Sequence, residues 1–486
     1  MKDRYFYLYS LLFLLFWGTT VLYAQEKKQE RFTIMGVGDS ITEGSDSFES
    51  YLFPLWQKLL TGGYQFDFIG PRESKCRIGI LNHCGFGGKN AEFLASKIDS
   101  IYRLYPADIV LLHAGHNHSV EEEPVPGMIA AYKSIISQIQ AVNPYAHILV
   151  AQVIPSGKLP KYSYIPALNG KIVELVSGLH SSHISLVDQT GSFDWEKYTV
   201  QDKVHPNEKG AERMATVWFD ALKTILPTPV MAFSPEIIRY KTLANGDSLT
   251  LHLFRPQQVN AGERRPAIVY FFGGGWKLGT PMQFYRECAY YASKGMVAVS
   301  VDYRIEYLHR SDPFDSFEDA KDAIRWLRKH AGSYGIDSAK IVAAGASAGG
   351  HLAAALGTIG SGEPDSAGYK PDLLILYYAV VDNVSRTFSH SRIKERYREI
   401  SPMHHISEGV PPTIFMLGTK DRLVSVQTAE MFRDKLLRNG VDCELQLFEG
   451  AGHPIFLYRK ELTDNFYEVR RKTDAFLSGY GYLPDK

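Results

Sequence analysis

Short apolar runs at 33–37, 66–69, 108–113, 147–153 and 184–187 have the length and the bounding turns of strands. Between them, 49–60, 90–104, 128–142 and 167–179 repeat apolar residues at helical spacing, and a last helix is expected over 206–225. Such alternation builds a parallel sheet covered by helices on both faces. Ligands on sheets of this kind bind outside the carboxyl ends of the strands, where Ser40 and Asn117 fall.

Pro227-Thr228-Pro229 interrupts the pattern, because proline cannot continue a helix. A new series follows, with antiparallel strands at 238–243 and 248–254 and further strands at 267–272, 297–301, 340–344, 373–378, 413–417 and 444–448. Helical spacing is clearest at 317–330 and 348–356. No internal repeat or low-complexity tract appears. The pattern predicts two different α/β domains, 32–226 and 237–486, joined by a linker over 227–236.

Length agrees, since 486 residues exceed one ordinary core. With 45% hydrophobic and 22% charged residues the composition is globular. Lys+Arg and Asp+Glu each total 53, so no concentrated basic surface favours nucleic acid, and a neutral substrate is compatible with the balance.

At the amino terminus, Lys2 and Arg4 precede an apolar run, and Leu22-Tyr23-Ala24 offers a cut before Gln25. This is the layout of a signal peptide over 1–24, which implies a periplasmic or secreted protein. The rival is an uncleaved anchor, since 5–24 nearly suffices to span a bilayer. Gly18, Thr19 and Thr20 dilute the run and favour cleavage, so no membrane association is expected of the mature form. No cysteine near the cut suits a lipoprotein anchor. In a secreted chain Cys76 and Cys84 can close a short disulfide loop, with free thiols as the alternative, which holds equally for Cys288 and Cys443. Their spacing with histidine suits no metal site, and neither a metal nor a cofactor is expected.

A serine becomes nucleophilic when a histidine takes its proton, and that histidine needs an acid to fix its tautomer. Ser40, in Gly38-Asp39-Ser40-Ile41-Thr42, finds both in Asp202-Lys203-Val204-His205-Pro206. Candidate donors to the oxyanion are the amides of Ser40 and Gly88 and the side chain of Asn117. An isolated Asp-Ser after a strand reads equally as a helix cap. Together, however, Gly38 to Thr42, Cys84-Gly85-Phe86-Gly87-Gly88, Gly115-His116-Asn117 and Asp202 with His205 resemble, in order, the blocks of the SGNH or GDSL-type hydrolases, most closely the carbohydrate acetylesterases. The resemblance covers 32–226 and implies a flavodoxin-like α/β/α sandwich in which Ser40 attacks, His205 is the base, Asp202 orients it, and Gly88 and Asn117 hold the oxyanion. One position departs: the third block usually ends in a supporting aspartate, and His118 stands there. His113, His116 and His118 alternate on an extended segment, a pattern that suits packing or solvation better than a metal cluster.

A second serine lies in Gly345-Ala346-Ser347-Ala348-Gly349, between an apolar run and a helical stretch, the context of a nucleophile elbow. Asp421 and His453 each follow a predicted strand, completing the order Ser, Asp, His. Phe272-Gly273-Gly274-Gly275-Trp276 ends another strand with glycines that let backbone amides approach a substrate oxygen. From about 237 to 477 the chain resembles the α/β-hydrolase esterases related to hormone-sensitive lipase, including bacterial acetyl and feruloyl esterases. Val301-Asp302-Tyr303-Arg304 adds to the likeness. It implies oxyanion donors at Gly274, Gly275 and Ala348. Here Phe272 replaces the usual histidine, which braces the glycine loop.

Both resemblances lead to ester hydrolysis, and the acetylesterase and feruloyl esterase likenesses imply an acylated carbohydrate substrate such as xylan or pectin. Two alternatives stay open. The chain can be a lipolytic esterase or lysophospholipase, or one domain can be a carbohydrate-binding module with a decayed site.

Overall fold

The computed structural model describes residues 31–229, 232–257, 262–360, 368–384, 390–455 and 463–483, so the expected signal peptide lies outside the described residues. The chain divides into two compact units, Met1–Cys76 with Ile80–Phe233, and Arg77–Gly79 with Ser234–Lys486.

The first unit is built on β1 (Phe32–Gly38), β2 (Phe66–Phe68), β3 (Arg72–Cys76), β4 (Gly79–Gly85), β5 (Ile109–His113), β6 (His147–Ala151) and β7 (Ile184–Val187). β1 is central. β5 lies along one side, and the other side pairs with β2 at its start and β4 at its end, all parallel. The sequence β2-β1-β5-β6-β7 is the flavodoxin-like strand order. Every residue of β5 is buried, as expected where helices cover both faces of a parallel sheet. Side-chain caps fix where those helices start: Asn90 accepts from the Phe93 amide ahead of Ala91–Leu104, and Asn207 from Gly210 ahead of Glu208–Lys223.

The second unit carries β8 (Glu236–Thr242), β9 (Ser248–Phe254), β10 (Arg265–Phe271), β11 (Val297–Val301), β12 (Ile336–Ala346), β13 (Leu373–Tyr377), β14 (Thr413–Gly418) and β15 (Cys443–Phe448). Their order is β15-β14-β13-β12-β10-β11-β9-β8. β9 runs antiparallel to both β8 and β11, and the pairings from β11 through to β15 are parallel. The crossed centre, with β11 outside β10, is the α/β-hydrolase arrangement. β11, β13 and β14 are buried along their whole length, which is why they read as largely apolar runs without alternation, Ser300 and Thr413 being their polar members.

Several elements differ from the sequence expectation. β3 and β4 were hidden because Arg72–Cys76 is polar and largely exposed, an edge strand with no buried face to impose alternation. β8 begins at Glu236, inside the span expected as linker. Helices Tyr285–Ser293, Val426–Arg438 and Thr463–Gly479 add to those expected. The thiol of Cys84 is free and fully buried, with its pKa pushed up to about 12 by burial, so no disulfide joins it to Cys76.

Candidate active sites

Ser40 opens a one-turn helix, Ser40–Glu43, at the carboxyl end of β1, and Asp39 caps it by accepting from the Ile41 amide at 3.0 Å. The turn is tight. A methyl group on Gly38 would sit 2.3 Å from Thr42 Oγ1 and 2.4 Å from the His113 carbonyl oxygen, so no side chain fits there. Ser40 Oγ lies 2.8 Å from His205 Nε2, and His205 Nδ1 hydrogen-bonds Asp202 Oδ2. The other oxygen of Asp202 accepts from the amides of Val204 at 2.8 Å and His205 at 3.0 Å, so carboxylate and imidazole share one turn. Burial alone would raise the pKa of Asp202; the hydrogen bonds from His205 and from those amides outweigh it and hold the group below its usual value. Phe48 stacks on the imidazole, with ring centroids 3.9 Å apart and planes at 17°.

β4 brings the glycine block alongside. A methyl on Gly87 would lie 3.8 Å from Ser40 Cβ, which places this peptide against the nucleophile. Gly88 adopts φ 71° and its amide donates to nothing among the described residues. Asn117, at φ 70°, gives one side-chain N–H to the Lys89 carbonyl at 3.0 Å, leaving its second for a ligand. Glu43, which motif reading passed over, accepts from the Gly87 amide at 2.6 Å and pairs with Arg72. Its position one turn after Ser40 was the available signal.

The three histidines at 113, 116 and 118 separate. His113 and His116 are fully buried, with pKa values pushed down to about 4 and about 3 by burial. His113 Nε2 accepts from the Ile154 amide, and His116 packs edge-on against Tyr162. His118 stands apart, between two carboxylates. Among the described residues no cluster of three or more ligating side chains forms a metal site.

In the second unit Ser347 sits between β12 and helix Ala348–Thr358 at φ 53°, ψ −115°, a conformation that costs a non-glycine residue roughly 1–3 kcal/mol. Glycines at either side make it possible: a methyl on Gly345 would meet the Gly349 carbonyl at 2.3 Å, and one on Gly349 the Phe271 carbonyl at 2.0 Å. Ser347 Oγ lies 2.8 Å from His453 Nε2, and His453 Nδ1 lies 2.7 Å from Asp421 Oδ2. Asp421 Oδ1 accepts from the amides of Leu423 at 2.7 Å and Val424 at 2.9 Å. Its side chain is 0% exposed, against 39% for Asp202.

Gly274 (φ 134°) and Gly275 (φ 63°) follow β10, and their amides have no partner among the described residues. The Gly273 amide is taken, donating to Gln283 Oε1 at 2.6 Å. A methyl on Gly273 would lie 3.4 Å from Ser347 Cβ, so the loop reaches the nucleophile. Phe272 is fully buried and stacks on Tyr303 with centroids 4.0 Å apart, while Tyr303 donates its hydroxyl to the Phe272 carbonyl. Stacking and that hydrogen bond brace the loop without a histidine. Thus each serine meets its own histidine and acid, within its own unit.

Comparison with known proteins follows this division. Residues 37–213 match the GDSL-like lipase/acylhydrolase family, 251–387 match BD-FAE, and 372–480 match the prolyl oligopeptidase family. Esterase LipC of Mycobacterium tuberculosis is 27% identical over 195 residues, 35% of this chain and 48% of that protein. An AB hydrolase superfamily protein of Schizosaccharomyces pombe is 27% identical over 262 residues, 47% of this chain and 74% of that protein. Ethyl acetate hydrolase of Pseudomonas putida is 31% identical over 157 residues, 32% of this chain and 48% of that protein. The chain thus spans about half the length of two of these relatives. Among solved structures, a thermophilic esterase of Thermogutta terrifontis is 36% identical, covering 52% of this chain and 94% of that one with a TM-score of 0.48.

Proposed function

For a chain that joins a GDSL-type hydrolase domain to an α/β-hydrolase domain of the esterase group, we propose a carboxylic-ester hydrolase with two independent Ser-His-Asp sites. The observation that carries it is the repeated line of contacts, each serine Oγ 2.8 Å from the Nε2 of a histidine that is itself bonded to an aspartate. Ser40 and Ser347 attack the ester carbonyl. His205 and His453 take the hydroxyl proton and return it to the leaving alcohol, and Asp202 and Asp421 hold the imidazoles in the required tautomer. Gly88 and Asn117, with the Ser40 amide, stabilise the first oxyanion; Gly274, Gly275 and Ala348 stabilise the second. Water then releases the acid from each acyl-serine.

The substrate class in this reading is acylated plant polysaccharide such as xylan or pectin, carrying acetyl or feruloyl esters, and the protein is secreted or periplasmic. The acetylesterase and feruloyl esterase likenesses support the carbohydrate step. So does the openness of the first site, where Gly87, Gly88 and Lys89 are exposed and a polymer can lie across the surface. The experiment is product analysis on acetylated xylan, pectin and mannan with Ser40→Ala and Ser347→Ala proteins. Release of acetate or ferulate by each single variant supports two carbohydrate esterase sites. Activity confined to long-chain acyl esters would make the chain lipolytic. Activity of one variant with mere polysaccharide binding by the other would leave one domain a binding module. The prolyl oligopeptidase match makes aminoacyl esters the remaining control for the second site.

A further inference from the structure

His118 occupies the place where the GDSL pattern carries an acid, and in this chain two carboxylates, Glu92 and Glu122, flank it. Its Nε2 lies 2.9 Å from Glu92 Oε2 and its Nδ1 2.5 Å from Glu122 Oε2. Both ring nitrogens face acceptors, and only an imidazolium donates from both. An aspartate here would be a third carboxylate among two others, so the histidine is the residue type that this pocket of charge accepts. Its side chain is 12% exposed, whereas those of Glu92 and Glu122 are 38% and 54% exposed, so the imidazole is held inside and the carboxylates close over it from the solvent side.

What the clamp holds is the segment that carries Asn117. Asn117 is left-handed, and its side chain donates to the carbonyl of Lys89, the residue that follows Gly88. Glu92 stands three residues further, in the first turn of helix Ala91–Leu104. The two proposed oxyanion donors are therefore stitched together twice, by Asn117 to Lys89 and by His118 to Glu92. Glu122, in the 3₁₀ turn Val120–Glu122, secures the far side and itself accepts from the Ser119 amide at 3.2 Å. We propose that His118, bridged by Glu92 and Glu122, is a positioning residue that sets the side-chain amide of Asn117, and through Lys89 the Gly88 peptide, for the oxyanion of the first site. This rests on the reading of Ser40 as nucleophile.

The charged groups bonded to His118 are Glu92 from the helix and Glu122 from the 3₁₀ turn, and Tyr164 donates its hydroxyl to the Gly115 carbonyl in the same loop. Burial by itself lowers the pKa of His118, but the bonds to Glu122 and Glu92 prevail and raise it. The clamp is therefore complete below the ordinary histidine value and weakens as pH rises through the raised one.

The test uses the full chain with Ser347→Ala, so that aryl acetate hydrolysis reads the first site alone. His118→Ala is expected to lower kcat about 10- to 100-fold, the range that small misplacements of a catalytic group produce, with KM nearly unchanged. In an Asn117→Ala background the same change should cost distinctly less, because the main group it positions is gone and only the tie through Glu92 to the Gly88 side remains. Glu92→Gln should reproduce the defect in weaker form, and it serves as the working variant if His118→Ala fails to fold. His118→Asp should be worse than His118→Ala. An equal loss of kcat with and without Asn117, or an unchanged kcat in folded His118→Ala and Glu92→Gln proteins, overturns the proposal. Ser40→Ala in the same background separates the two failures: activity surviving it removes the nucleophile reading, whereas activity lost by it and untouched by His118→Ala removes only the positioning role.

Discussion

Replacing Asp421 by asparagine should disable the second site with little loss of stability, and the structure dictates why. Oδ1 of Asp421 is fixed by two amide donors, at 2.7 and 2.9 Å, and Oδ2 faces His453 Nδ1 at 2.7 Å. An asparagine keeps the two amide bonds only if its oxygen takes the Oδ1 place. Its NH₂ group then points at Nδ1 and can only donate, so Nδ1 becomes the acceptor and the proton moves to Nε2. That nitrogen, 2.8 Å from Ser347 Oγ, can no longer take the serine proton. The alternative flip would set an NH₂ against two N–H groups around a side chain with no exposure, and a buried donor left unpaired costs roughly 1–3 kcal/mol. The wrong tautomer costs about 10⁴-fold in kcat in a triad of this kind, or about 5.4 kcal/mol at 1.36 kcal/mol per tenfold. The assay is hydrolysis of an aryl acetate by Asp421→Asn in a Ser40→Ala background, with a melting curve beside it. A kcat within tenfold of the parent, in a protein that melts normally, would refute the tautomer argument.

Ser40→Ala should silence the first site and Ser347→Ala the second, each by on the order of a millionfold, so that only the double variant approaches background in aryl acetate turnover. Asn117→Ala should reduce kcat of the first site about 100- to 1,000-fold while KM stays close to the parent value; an unchanged kcat in a folded protein rules out its oxyanion role. Because the Asp202 pKa is held down, its contribution to stability is full above the unfolded value near 3.9 and is lost as pH falls toward the folded value. The difference in melting temperature between parent and Asp202→Asn should accordingly shrink as pH falls below about 4, and a difference that does not shrink would count against this linkage.

The sequence pattern located β1, β5 and β11 well because their residues are buried on both faces, and burial is what hydrophobic runs record. It could not find β3 and β4, since Arg72–Cys76 is an exposed edge and β4 pairs with β1 only through Val37 with Cys84 and Gly38 with Gly85. This matters for the site, because β4 ends inside the glycine block, at Gly85, and so delivers Gly87 and Gly88 to the nucleophile. The residues of both triads were legible as motifs because Ser, His and Asp have few substitutes in that chemistry. Their supports were not. Gln283 on the Gly273 amide and Phe48 on the His205 ring act across space in ways that no local spacing encodes, and the place of Glu43 one turn after Ser40 puts it near the nucleophile without revealing its bond from the Gly87 amide.

The two departures from family pattern show how a site tolerates such change. Phe272 loses the hydrogen-bonding ring expected ahead of the glycine loop, yet its burial against Tyr303 and the bond from the Tyr303 hydroxyl to its carbonyl restrain the same backbone. His118 exchanges a negative charge for a positive one, and Glu92 and Glu122 stand where that charge is needed. In each case a neighbour that makes the substitution workable is distant in sequence, by 31 residues for Tyr303 and 26 for Glu92, although Glu122 lies only four residues from His118. A departure at a motif position is therefore weak evidence of decay by itself. The decisive observation is whether the surroundings meet the new side chain, and in both units they do.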